Sequence, residues 1–110
     1  MIIAIDTRQN IDSTSFHQVF ADAFGSFEGY GWNMDAWIDC MSGLDDKADV
    51  RLSRVTCPMD ETVVLHLEHA ADFAAREAQL FQDLLDCSAF VNWRRVEREE
   101  QAILVHSYHK

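Results

Sequence analysis

Short apolar runs alternate with helically spaced apolar stripes along this chain. Residues 2–5, IIAI, form an unbroken apolar run that ends at Asp6 and is followed by the turn-forming TRQN, which is the pattern of a first strand. In STSFHQVFADAFG, Phe16, Val19, Phe20, Ala23 and Phe24 recur at i, i+3, i+4, i+7 and i+8, Ser15 and Gln18 fit a capping box, and Gly25 supplies a stop. That spacing predicts a helix. After the loop FEGYGW, Asn33 is a candidate N-cap; Met34, Trp37, Ile38 and Met41 then repeat at helical spacing as far as Gly43, predicting a second, short helix.

Residues 45–61, DDKADVRLSRVTCPMDE, keep no sustained period and hold the only proline, Pro58; they read as an irregular connection. TVVLHL at 62–67 and AILV at 102–105 are β-branched and nearly continuous in apolar character. Runs of that kind suit strands covered on both faces, as in parallel sheets. Between them Asp72 fits as the cap of a helix whose Phe73, Leu80, Phe81, Leu84 and Leu85 share a face. Ser88 fits as the cap of a further helix with Phe90, Trp93 and Val96, one bent helix over 73–99 being the alternative. The order β, α, α, loop, β, α, α, β predicts an α/β fold. Its expected form is a small three-stranded parallel sheet, with strands near 2–5, 62–67 and 102–106, packed by about four helices in a single domain over residues 1–110.

Length and charge narrow the function classes. A chain of 110 residues with 48% apolar composition supports one core and not two ordinary domains. The formal charge is −10, from 19 acids against 9 bases, which argues against direct binding of nucleic acid or an anionic membrane and for a basic partner. No apolar run approaches the roughly 18 residues of a membrane span, and MIIAIDTR lacks the pattern of a signal peptide, so a cytoplasmic location is expected. Cys40, Cys57 and Cys87 are odd in number and include no C-x-x-C pair; reduced thiols are expected in place of a disulfide framework or a zinc knuckle.

Few motifs carry chemistry. In HLEH, residues 66–69, a strand would set His66 and Glu68 on one face and His69 on the other, and His106 and His109 diverge in the same way. A metal site needs three or four converging ligands, so no metal or other cofactor is expected. No G-x-S-x-G, reactive-cysteine context or phosphate-binding glycine motif is present, and no catalytic residue is assigned. The segment 33–44 differs. At about 100° per residue, Met34, Trp37, Ile38, Met41 and Leu44 share one arc, whereas Asp35, Asp39 and Ser42 gather on another. A solvated acidic face is the ordinary reading of such a pair, Asp35 also favouring the N-terminal dipole. Binding is the expected function over catalysis, because paired carboxylates need a cleft to shift their pKa values.

Tyr30-Gly31-x-Asn33-Met34-Asp35-Ala36-x-x-Asp39-Cys40, with Phe16-His17-Gln18 upstream, resembles the central motif of the barstar family of ribonuclease inhibitors. The likeness is specific over residues 1–44 and architectural beyond them. It implies a barstar-like fold and inhibition by insertion of the second helix and its preceding loop into a ribonuclease active site. Asp39 is then the main phosphate mimic, Asp35 meets another basic group, and the implied partner-binding set is Gly29, Tyr30, Gly31, Trp32, Asn33, Asp35, Ala36, Asp39, Ser42 and Gly43. The physics fits, since a carboxylate can take the Arg, Lys and His donors that hold an RNA phosphate. Gly29, Ile38 and Leu44 stand where the prototype inhibitor has a tyrosine and two tryptophans, so the partner is expected to differ from the prototype's. The family's acidic residue near its last helix has no clear counterpart in WRRVEREE.

The leading expectation is therefore a non-enzymatic inhibitor, monomeric when free, of a basic ribonuclease, acting as the immunity protein to a toxin nuclease. Rival readings are a nucleic-acid mimic that blocks another basic protein, and a small hydrolase using Asp35, Asp39 and histidines from elsewhere.

Overall fold

The computed structural model describes residues 1–9, 12–25, 32–45, 57–58 and 61–110. Its elements run β1 (Ile2–Asp6), a short 3-10 turn (Thr7–Gln9), α1 (Ser13–Phe24), α2 (Met34–Ser42), β2 (Val63–Glu68), α3 (Ala70–Arg76), α4 (Ala78–Glu97) and β3 (Leu104–Tyr108). The three strands form one parallel sheet in the order β1-β2-β3, the α/β architecture expected from the run pattern. Most of the connection at 45–61 lies outside the described residues.

The expectation that the strands are covered on both faces is overturned. Ile5, Val63, Leu65, Leu67 and Leu104 point into a single core, where they meet Phe16, Phe20 and Phe24 of α1, Trp37 and Met41 of α2, Phe73 of α3, and Leu84 and Val91 of α4. On the other face Ile2, Val64 and Val105 lie in register across the sheet, Ile2 and Val105 exposed and Val64 half-buried. The cause is topological. Crossovers between parallel strands are right-handed, and here both step in the same direction across the sheet, so both helix pairs fall on the same side.

Local chemistry sets the helix ends, in places differently from the sequence reading. Asp12, not Ser15, caps α1: its carboxylate accepts from the Ser15 backbone N–H at 2.8 Å, while the Ser15 hydroxyl completes the reciprocal box. Gln18 instead donates to Asp22 one turn on, at 2.8 Å. Gly25 ends the helix at φ 84°, a value that suits glycine. Asp72 does not cap α3, because the chain leaves β2 through His69 in the left-handed region at φ 59° and starts the helix at Ala70; Asp72 accepts from Arg76 at 3.1 Å. Ser88 caps nothing either. The break between α3 and α4 falls at Glu77, and Ser88 is buried mid-helix with its hydroxyl 2.9 Å from His106 Nε2.

Two polar anchors place the last strand and the first turn. Asn92 Oδ1 accepts from the Ile103 and Leu104 N–H groups and its Nδ2 donates to Leu104 O, all at 3.0 Å. Ile103 and Leu104 are thereby held to α4; Ile103 O already accepts from Val63 N–H at 2.7 Å, and the strand expected near 102–106 runs instead over Leu104–Tyr108. Buried Thr7 donates its hydroxyl to Glu68 O at 2.6 Å, and its own carbonyl accepts from Arg76 Nη2 at 3.0 Å. Packing between α1 and α2 is aromatic. Phe20 meets Trp37 edge to face at 5.6 Å and 85°, worth about 1 kcal/mol beyond the area it buries.

Candidate functional site, the exposed face of α2

The apolar arc predicted for α2 is its buried side. Trp37, Met41 and Leu44 are fully buried, with Met34 and Ile38 packed at the margin. Trp37 settles into the core as its place on the arc implied. Its indole Nε1 has no hydrogen-bond partner among the described residues, a cost of about 1–3 kcal/mol that the ring's burial offsets. Burying that arc turns Asp35 and Asp39 outward, both exposed and one turn apart, about 6 Å along the axis.

Both ends of the helix are fastened. Asn33 Oδ1 accepts from Ala36 N–H at 2.8 Å, satisfying one of the free donors of the first turn. The preceding Trp32 is exposed and takes φ 55°, a left-handed conformation that costs a bulky residue about 1 kcal/mol. At the other end the Ser42 hydroxyl donates back to Ile38 O at 2.6 Å, and Gly43 N–H reaches Cys40 O at 3.4 Å. Gly43 ends the helix at φ −111°, so its place there does not depend on left-handed freedom. The Ser42 carbonyl accepts from Arg95 Nη1 of α4 at 2.8 Å, a cation on the negative end of the helix dipole.

Of the expected partner-binding set, Trp32, Asn33, Asp35, Ala36, Asp39, Ser42 and Gly43 therefore follow one another along α2 and its caps. Asn33, Ala36, Ser42 and Gly43 hold the helix through the bonds just described, while Asp35 and Asp39 present charge. Gly29, Tyr30 and Gly31 lie outside the described residues. Histidines do not join the carboxylates: His66 sits 3.0 Å from Ser107 across the sheet and His106 against Ser88, and among the described residues no three His, Cys, Asp or Glu side chains converge on a metal-sized site.

Sequence reasoning missed what α4 brings to this face. Arg94 Nη1 and Nη2 both lie 3.4 Å from Asp39 Oδ1, and burial pushes the pKa of the Cys87 thiol on the same helix up, Asp83, Asp86 and Asp35 adding to the shift. The stripe of α4 that reaches the core is Leu84, Ser88, Val91 and Arg95; Phe90, Trp93 and Val96, expected together in one helix, stand exposed. The polar residues on the buried stripe hid it, and no local pattern signals a contact between residues 39 and 94. Among the described residues no helix is long and apolar enough to cross a membrane.

The family model for barstar, described as barnase inhibitor, matches residues 1–106. No curated protein matches the chain.

Proposed function

Because the chain belongs to the barstar (barnase inhibitor) family, we propose that it inhibits a ribonuclease by seating the acidic face of α2 in the enzyme's phosphate-binding cleft, as the immunity protein to a toxin nuclease. The observation that carries this reading is the presentation of Asp35 and Asp39. Both are exposed on a helix whose opposite side is locked in the core and whose ends are fixed by Asn33 and Arg95. A helix already held in its bound geometry loses little freedom on association. Asp39, its side chain 62% exposed, meets the cations that otherwise hold an RNA phosphate, and Asp35 pairs one turn away. Masking is stoichiometric and consumes nothing. The formal charge of −10 adds long-range attraction to a basic enzyme.

The test is titration of a ribonuclease with the purified protein while RNA cleavage is followed, barnase being the first enzyme tried and toxin nucleases from the producing organism the next. Activity is expected to fall linearly to an end point at one inhibitor per enzyme. Undiminished cleavage across such a panel at micromolar inhibitor would remove the reading.

A further inference from the structure

We propose that the partner-facing surface continues from α2 onto α4 across the Asp39–Arg94 contact, and that Arg94 makes it selective for a ribonuclease that sets a carboxylate beside its phosphate-binding cations. The inference rests on the reading of α2 as the nuclease-facing helix.

Adjacent arginines on α4 have opposite roles. Arg95 is buried and makes contacts of 2.7 Å to Gln101 O, 2.8 Å to Ser42 O and 2.7 Å to Asp45 Oδ2. Arg94 reaches a single oxygen of Asp39, and at 3.4 Å from each Nη the contact is long beside the usual 2.7–2.9 Å or so of a charge-assisted bond. Its buried Nε has no hydrogen-bond partner among the described residues. A long pair to a largely exposed carboxylate contributes little to stability, so the fold does not account for Arg94 as it does for Arg95.

What Arg94 does alter is the field around Asp39. Any cation that pairs with the Asp39 carboxylate shares it with this guanidinium, and closure of an interface removes the water and salt that screen the two like charges. A uniformly cationic cleft is therefore disfavoured at this edge. A cleft with an acid beside its cations satisfies both groups and uses the donors that Arg94 leaves poorly engaged. Phe90 lies one turn before Arg94, within about 40° of it around the helix, and is exposed, as is Trp93. Exposed aromatics flanking an arginine are the residue types that interface centres favour.

The experiment is a charge-swap cycle whose probe is the ribonuclease, barnase or a toxin nuclease, that the titration above finds inhibited. Wild-type protein, Arg94→Glu and Arg94→Gln are measured against that enzyme and against variants of it in which each Lys or Arg at the cleft rim is singly replaced by Glu; circular dichroism and urea midpoints verify folding. At least one rim replacement is expected to favour Arg94 and disfavour the Arg94→Glu protein, a crossed preference of about tenfold, with Arg94→Gln between. Equal effects of every rim replacement on the Arg94 and Glu proteins, or no measurable binding in any combination, would overturn the proposal. Asp39→Ala in the same cycle separates the two readings. Lost affinity there without a crossed preference at 94 keeps the α2 reading and overturns this one, whereas a crossed preference untouched by Asp39→Ala keeps Arg94 at the interface and removes α2 insertion.

Discussion

Arg95 of α4 and Asp45, just beyond α2, meet as a two-pronged pair, Nη2 to Oδ2 at 2.7 Å and Nη1 to Oδ1 at 3.1 Å. The same guanidinium bonds Ser42 O and Gln101 O, so one side chain ties the end of α2 to α4 and to the approach of β3. The arginine side chain is 4% exposed, and removing it leaves a carboxylate and two carbonyls short of donors. Arg95→Ala is expected to lower unfolding free energy by about 3 kcal/mol, measured by urea titration. Arg95→Lys should recover only part of this, since an ammonium cannot span both oxygens and both carbonyls with a planar fork.

Asp39→Ala tests the phosphate-mimic role. Within a desolvated cleft the substitution strands the partner's cations, a loss of about 2 kcal/mol or more, or at least about thirtyfold in affinity. Asp35→Ala should also weaken binding. Asp83→Ala, which removes only a surface bond from Gln79 at 2.8 Å on α4, should leave affinity nearly unchanged. Inhibition constants measured alongside circular dichroism decide the matter; a folded Asp39→Ala protein of undiminished potency would reject the mechanism.

Association with the nuclease is expected to be fast and salt-sensitive. The formal charge of −10 steers a cationic cleft toward the protein, and added salt screens that field. Stopped-flow traces should show the association rate falling steeply as ionic strength rises while dissociation changes less. An association rate flat in salt would argue against a cationic target.

Acid should destabilise the protein in two steps. Burial pushes the pKa of His17 and of His106 below the ordinary 6.5, and His106 faces the Ser88 hydroxyl at 2.9 Å and the Tyr108 hydroxyl at 3.2 Å. Their folded values lie below the unfolded one, so the stability they contribute is complete above about pH 6.5 and is lost as pH falls through the lowered values. Hydrogen bonding to Arg95 holds Asp45 below its usual 3.8, by the same sign placing a second decline below about pH 4. Urea midpoints across this range should show both declines, His106→Gln reducing the first and Arg95→Gln the second.

Asn92→Ala is expected to loosen the start of β3. The change deprives the buried Ile103 and Leu104 N–H groups of their acceptor, at a cost of about 2 kcal/mol or more. Amide exchange at those two positions should quicken before exchange elsewhere in the sheet does. Unaltered protection there would show that β2 alone holds the strand.

The strands, the order of the elements, the buried arc of α2 and the outward turn of Asp35 and Asp39 were all legible in the sequence, because each follows from apolar periodicity within one short segment. So was the family, through a motif confined to neighbouring residues. Tertiary structure decided the rest. That, among the described residues, the helices cover only one face of the sheet depends on both crossovers stepping the same way, a relation between elements that no strand's composition carries. The fates of Arg94 and Arg95, identical in type and adjacent in sequence, were set by rotation about α4: about 100° separates a buried clamp on Asp45 from a surface cation beside Asp39. Phe90 and Trp93 kept helical spacing yet face solvent, since periodicity shows that residues share a face but not which face the core takes when Ser88 and Arg95 find polar partners inside it.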